Sequence, residues 1–113
     1  MTSEPRLTIQ GEVFYLPKIM LPTACTLTVS LNEISLADAA ARNVAISKTK
    51  ITQQVPLAFE LSYVPNQPAG SYAVSASIEC EGRLIWVSNT TNMVKVNEEN
   101  IVDLRVKVVQ VNA

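Results

Sequence analysis

The chain alternates between polar and apolar residues along most of its length, and this period of two constrains the fold more than any other feature. In residues 25–31, CTLTVSL, the odd positions are apolar and the even positions carry hydroxyl groups. The same alternation occurs at 57–63 and 72–80, whereas no segment sustains a period of 3.6. Because successive side chains of a β-strand point to opposite faces, the pattern predicts strands with one buried face.

Weaker alternation predicts further strands at 7–15, 44–53, 84–87, 94–96 and 101–111. We expect the second of these to be an edge strand, because it carries Lys48 and Lys50. In the last of them we expect the inward side chains to be Val102, Leu104, Val106 and Val108.

Short strands separated by turns predict an all-β fold, a two-layer antiparallel β-sandwich of seven to eight short strands. Residues 35–42, SLADAAAR, begin with Ser35, which is placed to cap one short helical turn through the alanines. An irregular crossover is the alternative for this segment.

Length, composition and charge exclude several classes of protein function. The 113 residues are enough for one domain. The 9 Lys and Arg are balanced by 10 Asp and Glu, so the chain has no excess of basic residues for binding nucleic acid. No apolar run approaches the roughly 18 residues that a membrane-spanning helix needs. The opening residues, MTSEP, lack the basic and apolar regions of a secretory signal peptide. We therefore expect either a cytoplasmic protein or the mature part of an exported one.

Catalytic chemistry finds little support in the sequence. Histidine is absent, which removes the commonest general base and the commonest metal ligand. With three glycines the chain has no glycine-rich phosphate loop, and it has no G-x-S-x-G motif. We expect no enzymatic activity, no metal, no cofactor and no small-molecule substrate.

Cys25 and Cys80 are the two cysteines, and the alternation points both side chains into the core. Two interpretations remain open on the residues alone. The thiols form a disulfide if their strands are neighbours, or they are two buried free cysteines that act as small apolar side chains.

Residues 84–87 depart from simple alternation because Leu84, Ile85, Trp86 and Val87 are apolar on both faces of the predicted strand. One face belongs to the core, and the other is covered either by the chain's own crossover or by a partner. We take these side chains as the candidate partner-binding residues. Either Ile85 and Val87 or, with the opposite parity, Leu84 and Trp86 would face the partner.

Four segments together resemble the YscW/YbaY family of bacterial envelope lipoproteins. They are MLPTACTLTVSLNEISLADAAA at 20–41, QQVPLAFELSYVP at 53–65, GSYAVSASIECEGRLIWVSNTT at 70–91 and VDLRVKVV at 102–109. Within that family the compact chain is most similar to the type II secretion pilotins of the AspS (GspS-beta) kind. The resemblance implies a β-sandwich that a lipidated N-terminus tethers to the periplasmic face of the Gram-negative outer membrane.

The resemblance also implies a function. Pilotins of this family bind the C-terminal segment of a secretin subunit and promote its targeting and assembly in the outer membrane for type II or type III secretion. The alternative is a YbaY-like envelope lipoprotein with a structural or stress role and no secretin partner. Because the periplasm is oxidising, the resemblance implies a disulfide between Cys25 and Cys80.

The chain shows no lipobox, so the lipid anchor is absent from this sequence and enters only through the resemblance. We expect residues 1–6 to be a flexible N-terminal segment, either a linker to that lipid or residues added in recloning. Residues 7–113 are then a single β-sandwich domain.

Overall fold

The computed structural model describes residues 5–34 and 42–111. Within them the protein consists of β-strands joined by turns and loops. The strands are β1 (Leu7–Phe14), β2 (Cys25–Glu33), β3 (Arg42–Lys50), β4 (Leu57–Tyr63), β5 (Tyr72–Cys80), β6 (Arg83–Ser88), β7 (Asn92–Val94) and β8 (Ile101–Gln110). The predicted helical turn near 35–42 lies outside the described residues, except that Arg42 begins β3.

All eight described strands belong to one continuous sheet with the order β3-β2-β5-β6-β8-β1-β4, and β7 pairs with β5. The sheet is mixed, because β1 and β8 pair in parallel while the other pairs are antiparallel. It curls until the end strands β3 and β4 come into contact, which produces a nearly closed barrel. As predicted, the lysine-bearing strand β3 is at an edge of the sheet.

The all-β class and the number of strands are confirmed, but the two-layer antiparallel sandwich is wrong. The ten-residue strand β8 joins what would be two layers, because residues 101–107 pair with β1 and residues 108–110 pair with β6. Alternation predicts which face of a strand is buried, but it contains no information about which strand lies beside it.

The interior is filled by the apolar side chains of the alternating strands. In β2 every odd residue from Cys25 to Leu31 is buried, and in β5 every even residue from Tyr72 to Cys80 is buried, as predicted. The largest fully buried side chains are Trp86, Tyr63 and Tyr72. Among the described residues no polar or charged residue is buried. The core of the described residues is therefore built from apolar and aromatic side chains.

The cysteines meet because β2 and β5 are antiparallel neighbours with Cys25 directly opposite Cys80. The two sulfur atoms form a disulfide with an S–S distance of 2.03 Å and a Cα–Cα distance of 4.0 Å. The bridge implied by the resemblance is therefore present, and of the two open interpretations the free thiols are excluded.

The first half of β8 departs from the predicted parity. Pairing with β1 shifts between Ile9 opposite Ile101 and Gly11 opposite Leu104, and Asp103 has a φ of 60°. This β-bulge turns Val102 to the surface, where 61% of it is exposed, while Val106 and Val108 are buried as expected. The prediction that Val102 points inward is therefore wrong.

Residues 5–34 and 42–111 include no helix that is long and apolar enough to cross a membrane.

Candidate functional site

The four predicted partner-binding residues are on β6, but they do not share one surface. Trp86 lies opposite Ile78 and is 1% exposed, so it is part of the core. Leu84 lies opposite Glu79 and is 46% exposed. Ile85 and Val87 are half-buried. Of the four side chains, Leu84 is the one most available to a partner, and Trp86 is accessible to none while the core is intact.

A β-bulge explains why residues 84–87 are apolar on both parities. The pairing of β6 with β5 shifts between Ile78 opposite Trp86 and Glu79 opposite Leu84, which leaves Ile85 as the extra residue. Because one inserted residue reverses the alternation, Leu84 and Trp86 point to opposite sides although they are two positions apart. Neither parity weighed from the sequence describes this strand completely.

The loop between β1 and β2 carries a second group of exposed apolar side chains. Leu16 is 69% exposed, Ile19 is 48% exposed and Met20 is 76% exposed. Alternation along the chain does not identify them as functional. The signal that it missed is the run LPKIML at 16–21, an apolar segment in a proline-containing connection that is not suited to a central strand.

The protein holds this loop in place at its beginning. The ring of Tyr15 stacks on Trp86 with 3.9 Å between the ring centroids and 8° between the planes. The Tyr15 hydroxyl donates a hydrogen bond to the carbonyl oxygen of Ile19. Burial raises the pKa of Tyr15. The hydroxyl therefore stays protonated, and remains a hydrogen-bond donor, to a higher pH than that of an exposed tyrosine.

The end of the loop is held by Gln54. The backbone N–H of Leu21 donates to Oε1 of Gln54 at 2.6 Å, and Nε2 of Gln54 donates to the carbonyl oxygen of Leu21 at 3.2 Å. The Leu21 side chain is itself buried. Ile19 and Met20 are thus exposed on a loop that is fixed on both sides of them. Preorganisation of this kind lowers the entropy that a binding surface loses when it captures a ligand.

The strand connections place this loop at the same end of the barrel as the start of β6. Cys25 at the start of β2 lies opposite Cys80 at the end of β5, and the N–H of Glu81 donates to the carbonyl oxygen of Ala24. The end of β8 is there too, since the N–H of Val111 donates to the carbonyl oxygen of Ile85. We define the apolar end surface as the exposed apolar side chains at this end of the barrel: Leu16, Ile19, Met20, Leu84 and Val111.

The charged residues at this end are exposed and of both signs. Lys18 is on the loop itself, and Glu81 and Arg83 are in and beside the β5–β6 turn. Exposed apolar side chains with exposed charges of both signs at the same end of the barrel match the composition of protein interfaces, which combine apolar and charged residues.

The described residues show no cluster that could hold a metal ion and no free thiol. Within 5–34 and 42–111, no three of the residue types His, Cys, Asp and Glu lie close enough together to hold a metal ion. Both cysteines are in the disulfide and are not available as nucleophiles.

Similarity to known proteins extends over nearly the whole chain. Residues 4–106 match the sequence model of the YscW family, described as the type III secretion system lipoprotein chaperone. YbaY, an uncharacterized lipoprotein of Escherichia coli (strain K12), is 33% identical over 89 residues, which cover 76% of this chain and 47% of YbaY. The chain thus spans about half of the length of that relative.

A solved structure has the same fold. The alternative pilotin from the type II secretion system of Vibrio cholerae matches with a TM-score of 0.87 and 32% sequence identity, over 96% of this chain and 100% of that chain. The likeness therefore extends over nearly the whole chain.

Proposed function

The chain belongs to the YscW family of secretion-system lipoprotein chaperones, and from this premise we propose that it is a secretin pilotin. In this proposal it is a lipoprotein of the outer membrane, which it reaches through an N-terminal lipid that is absent from this chain. It faces the periplasm, binds the C-terminal segment of a secretin subunit and promotes the targeting and assembly of that subunit in the outer membrane. The pathway is type II secretion, with type III as the related possibility.

The single observation that carries the proposal is the match to the type II alternative pilotin, which covers the whole of that protein. A partial match would leave open whether the binding surface is shared. Here the match extends over the entire barrel, which supports the proposal that the two proteins share a binding surface.

The apolar end surface supports binding of a segment with an apolar face. Met20 and Leu84 are exposed at the same end of the barrel, and the loop that carries Met20 is fixed by Tyr15 and Gln54. A secretin segment that folds as an amphipathic helix would place its apolar residues, spaced i, i+3 and i+4, against this surface. In this proposal Leu84 contacts the partner directly, Ile85 and Val87 are the half-buried neighbours that support it on β6, and Trp86 holds the loop in place from the core.

YbaY supports a second candidate function. Its 33% identity to this chain is as high as that of the pilotin, and the name of YbaY states a lipoprotein and no partner. The second candidate is therefore an envelope lipoprotein with a structural or stress role that does not bind a secretin.

Isothermal titration calorimetry against synthetic C-terminal segments of type II and type III secretins distinguishes the two. A pilotin binds one of these segments with a Kd of about 1 μM or tighter and does not bind scrambled controls. Absence of binding to every segment would favour the envelope lipoprotein instead.

A pair of matched double variants tests the surface. Met20→Ser with Leu84→Ser removes two apolar side chains from the apolar end surface, and Met93→Ser with Ile46→Ser removes two similarly exposed side chains elsewhere. We expect the first pair to weaken binding at least about tenfold and the second to leave it unchanged. Equal effects of both pairs would place the secretin site on another surface.

A further inference from the structure

The strand β3, at one end of the sheet, has a free edge. Within residues 5–34 and 42–111, β2 is the only strand that pairs with β3, and β4 contacts β3 without pairing with it. None of the nine residues of β3 is buried. The side of β3 that faces away from β2 is therefore available to a further strand.

The pairing with β2 decides which backbone groups of β3 point to this edge. The N–H of Ile51 donates to the carbonyl oxygen of Cys25 at 2.9 Å, and the register of β3 on β2 is regular from residue 50 back to residue 45. In an antiparallel pair, residues that exchange hydrogen bonds alternate with residues that do not. Counting back from Ile51, the N–H and C=O groups of the even residues from 46 to 50 point away from β2. We define the free edge of β3 as these residues: Ile46, Lys48 and Lys50.

The backbone groups of the free edge of β3 are unpaired. In the part of the chain that the structure describes, no backbone hydrogen bond outside the strand ladders involves them. A row of unpaired N–H and C=O groups on a strand is a template for another extended backbone. A groove of about 690 Å³ borders Ser47 and Thr49, the residues between those of the edge. The edge therefore combines unpaired backbone groups with open space beside them.

The side chains of the free edge of β3 form one row on the outer face of the sheet. Ile46 is 56% exposed, and Lys48 and Lys50 are exposed as well. The lysines lie opposite Thr28 and Thr26 of β2, and neither forms an ion pair with a described residue. Opposite charges on directly paired residues stabilise a strand pair. This row therefore favours a strand that carries two acidic residues and one apolar residue at the same spacing.

The residues between those of the edge set a different requirement. Ser47 and Thr49 lie opposite buried residues of β2, so their side chains are on the inner side of β3. The groove that they border is also lined by Glu12 and Glu60. A docked strand would place every second side chain towards this groove, where a further carboxylate would be repelled. The edge therefore favours a strand in which acidic and uncharged residues alternate, and not a uniformly acidic one.

We propose that the free edge of β3 docks an extended segment of a protein partner as an added antiparallel strand. Acidic residues of that segment lie opposite Lys48 and Lys50, and an apolar residue lies opposite Ile46. Antiparallel pairing is favoured because parallel pairing is slightly less stable per residue. Backbone hydrogen bonds provide the attachment, and the lysines select the partner and its register. This site goes beyond the proposed function and does not depend on it.

Other occupants match the free edge of β3 less well. A second copy of this chain would bring two basic strands together, because β3 contains Arg42, Lys48 and Lys50 and no acidic residue. Like charges directly opposite each other destabilise a strand pair. Lipid phosphate groups would match the lysines, but they offer no row of donors to the backbone carbonyl oxygens. An acidic extended segment satisfies both the backbone and the charges.

Fluorescence anisotropy with defined peptides tests the proposal. The probe is a labelled peptide of about seven residues with glutamates at i and i+2, valine at i+4 and threonine at the positions between. One control peptide has lysines in place of the glutamates, and another has the same composition with the glutamates adjacent. We expect the probe to bind, the lysine peptide not to bind, and the rearranged peptide to bind at least about tenfold more weakly.

Methylation of the peptide backbone distinguishes an added strand from a purely electrostatic contact. N-methylation at i, i+2 and i+4 removes the N–H groups that would bond to the free edge of β3, whereas N-methylation at the intervening positions leaves them intact. We expect the first peptide not to bind and the second to bind within about twofold of the probe. Equal binding of the two methylated peptides would overturn the proposal.

Two matched charge reversals locate the site. Lys48→Glu with Lys50→Glu changes the free edge of β3, and Arg83→Glu with Lys95→Glu makes the same change in net charge at exposed positions elsewhere. We expect the first pair to weaken binding of the probe at least about tenfold and the second to change it less than about threefold, with both proteins folded by circular dichroism. The lysine peptide should bind the first pair, because the charges are then complementary again.

Equal weakening by both pairs, or failure of the probe to bind, would overturn the proposal. A dimer in analytical ultracentrifugation that Ile46→Pro dissociates would also overturn it, because a second copy would then occupy the edge. So would binding of phosphatidylglycerol vesicles in the absence of probe binding. The Met20→Ser and Leu84→Ser pair separates this site from the secretin site, because it should leave binding of the probe unchanged. Failure of one site then says nothing against the other.

Discussion

Tyr15 and Trp86 stack face to face with their ring centroids 3.9 Å apart, and through this contact the end of β1 is fixed to the centre of β6. Tyr15 is the first residue after β1, and its hydroxyl bonds to the backbone of Ile19 in the loop beyond. Trp86 is in the core, so it transmits the rigidity of the core to a loop that exposes Leu16, Ile19 and Met20. Trp86 thereby positions the exposed loop between β1 and β2, although Trp86 itself is buried.

Replacing Tyr15 by Phe tests the hydrogen bond within this arrangement. The ring keeps its stacking while the bond to Ile19 is lost, so we expect the free energy of unfolding to fall by about 1 kcal/mol at pH 7. Urea unfolding followed by Trp86 fluorescence measures it. An unchanged free energy of unfolding would show that the hydroxyl does not hold the loop.

The same pair of proteins gives a pH dependence. Burial raises the pKa of Tyr15 above its usual 10.0. The contribution of the hydroxyl is therefore fully present below pH 10 and is lost as the pH rises through the raised value, because the unfolded chain releases the proton first. We expect the difference between the protein and its Tyr15→Phe variant to be constant from pH 7 to 9 and to shrink above pH 10. A difference that grows above pH 10 would contradict the direction of the shift.

Gly11→Ala is expected to be severely destabilising. A Cβ at this position would lie 1.9 Å from the carbonyl oxygen of Leu104, so the parallel contact between β1 and β8 must move apart. We expect a loss of about 3 kcal/mol or more, or failure to fold. The control is Gly82→Asn in the β5–β6 turn, where φ is 79°, nothing lies within 4 Å of the added Cβ, and asparagine tolerates the conformation. Thermal unfolding of both variants decides, and similar melting temperatures would argue against the close packing of β1 on β8.

Removal of the disulfide is expected to cost a large part of the stability. Cys25 and Cys80 are 55 residues apart, and closing a loop of that length stabilises the folded protein by about 4 kcal/mol through the entropy of the unfolded chain. We expect the Cys25→Ala and Cys80→Ala double variant to unfold at lower urea concentration than the oxidised protein. Dithiothreitol should shift the natural protein in the same direction and leave the variant unaffected. A variant as stable as the oxidised protein would refute the contribution.

Alanine substitutions on β6 separate its core residue from its surface residue. We expect Trp86→Ala to cost about 3 to 5 kcal/mol, because it empties a fully buried site. We expect Leu84→Ala, at 46% exposure, to change stability by less than about 0.5 kcal/mol and to weaken binding of the secretin segment. Equal costs in stability would mean that the bulge at Ile85 does not set the parity of this strand.

Much of the burial pattern could be predicted from alternation, because a regular strand has one face in the core. The buried faces of β2 and β5 follow the sequence residue by residue from Cys25 to Leu31 and from Tyr72 to Cys80. Where a strand is regular, its buried residues recur at every second position, as its apolar residues do. The resemblance to the YscW family added the compartment, from which the disulfide followed.

The exposed apolar side chains, from which the candidate site is built, were less predictable, because two of them depend on irregularities that have no period. The bulge at Ile85 turns Leu84 outward, and the bulge at Asp103 does the same for Val102. Each bulge reverses the alternation, so the residue points to the opposite face from the one that a strict period of two would give. The loop with Ile19 and Met20 was treated as a connection because nothing local in LPKIML shows that Tyr15 and Gln54 fix it.

The sequence by itself determined that this chain is built of strands, and which side chains of β2, β4 and β5 face inward, since these follow from the geometry of a single strand. The tertiary structure alone decided that the first and last strands lie parallel, that one sheet curls into a nearly closed barrel, and that Cys25 faces Cys80. Those relationships arise between residues that are distant along the chain. Their free energy comes from burying one shared core, and no local pattern records which strands share it.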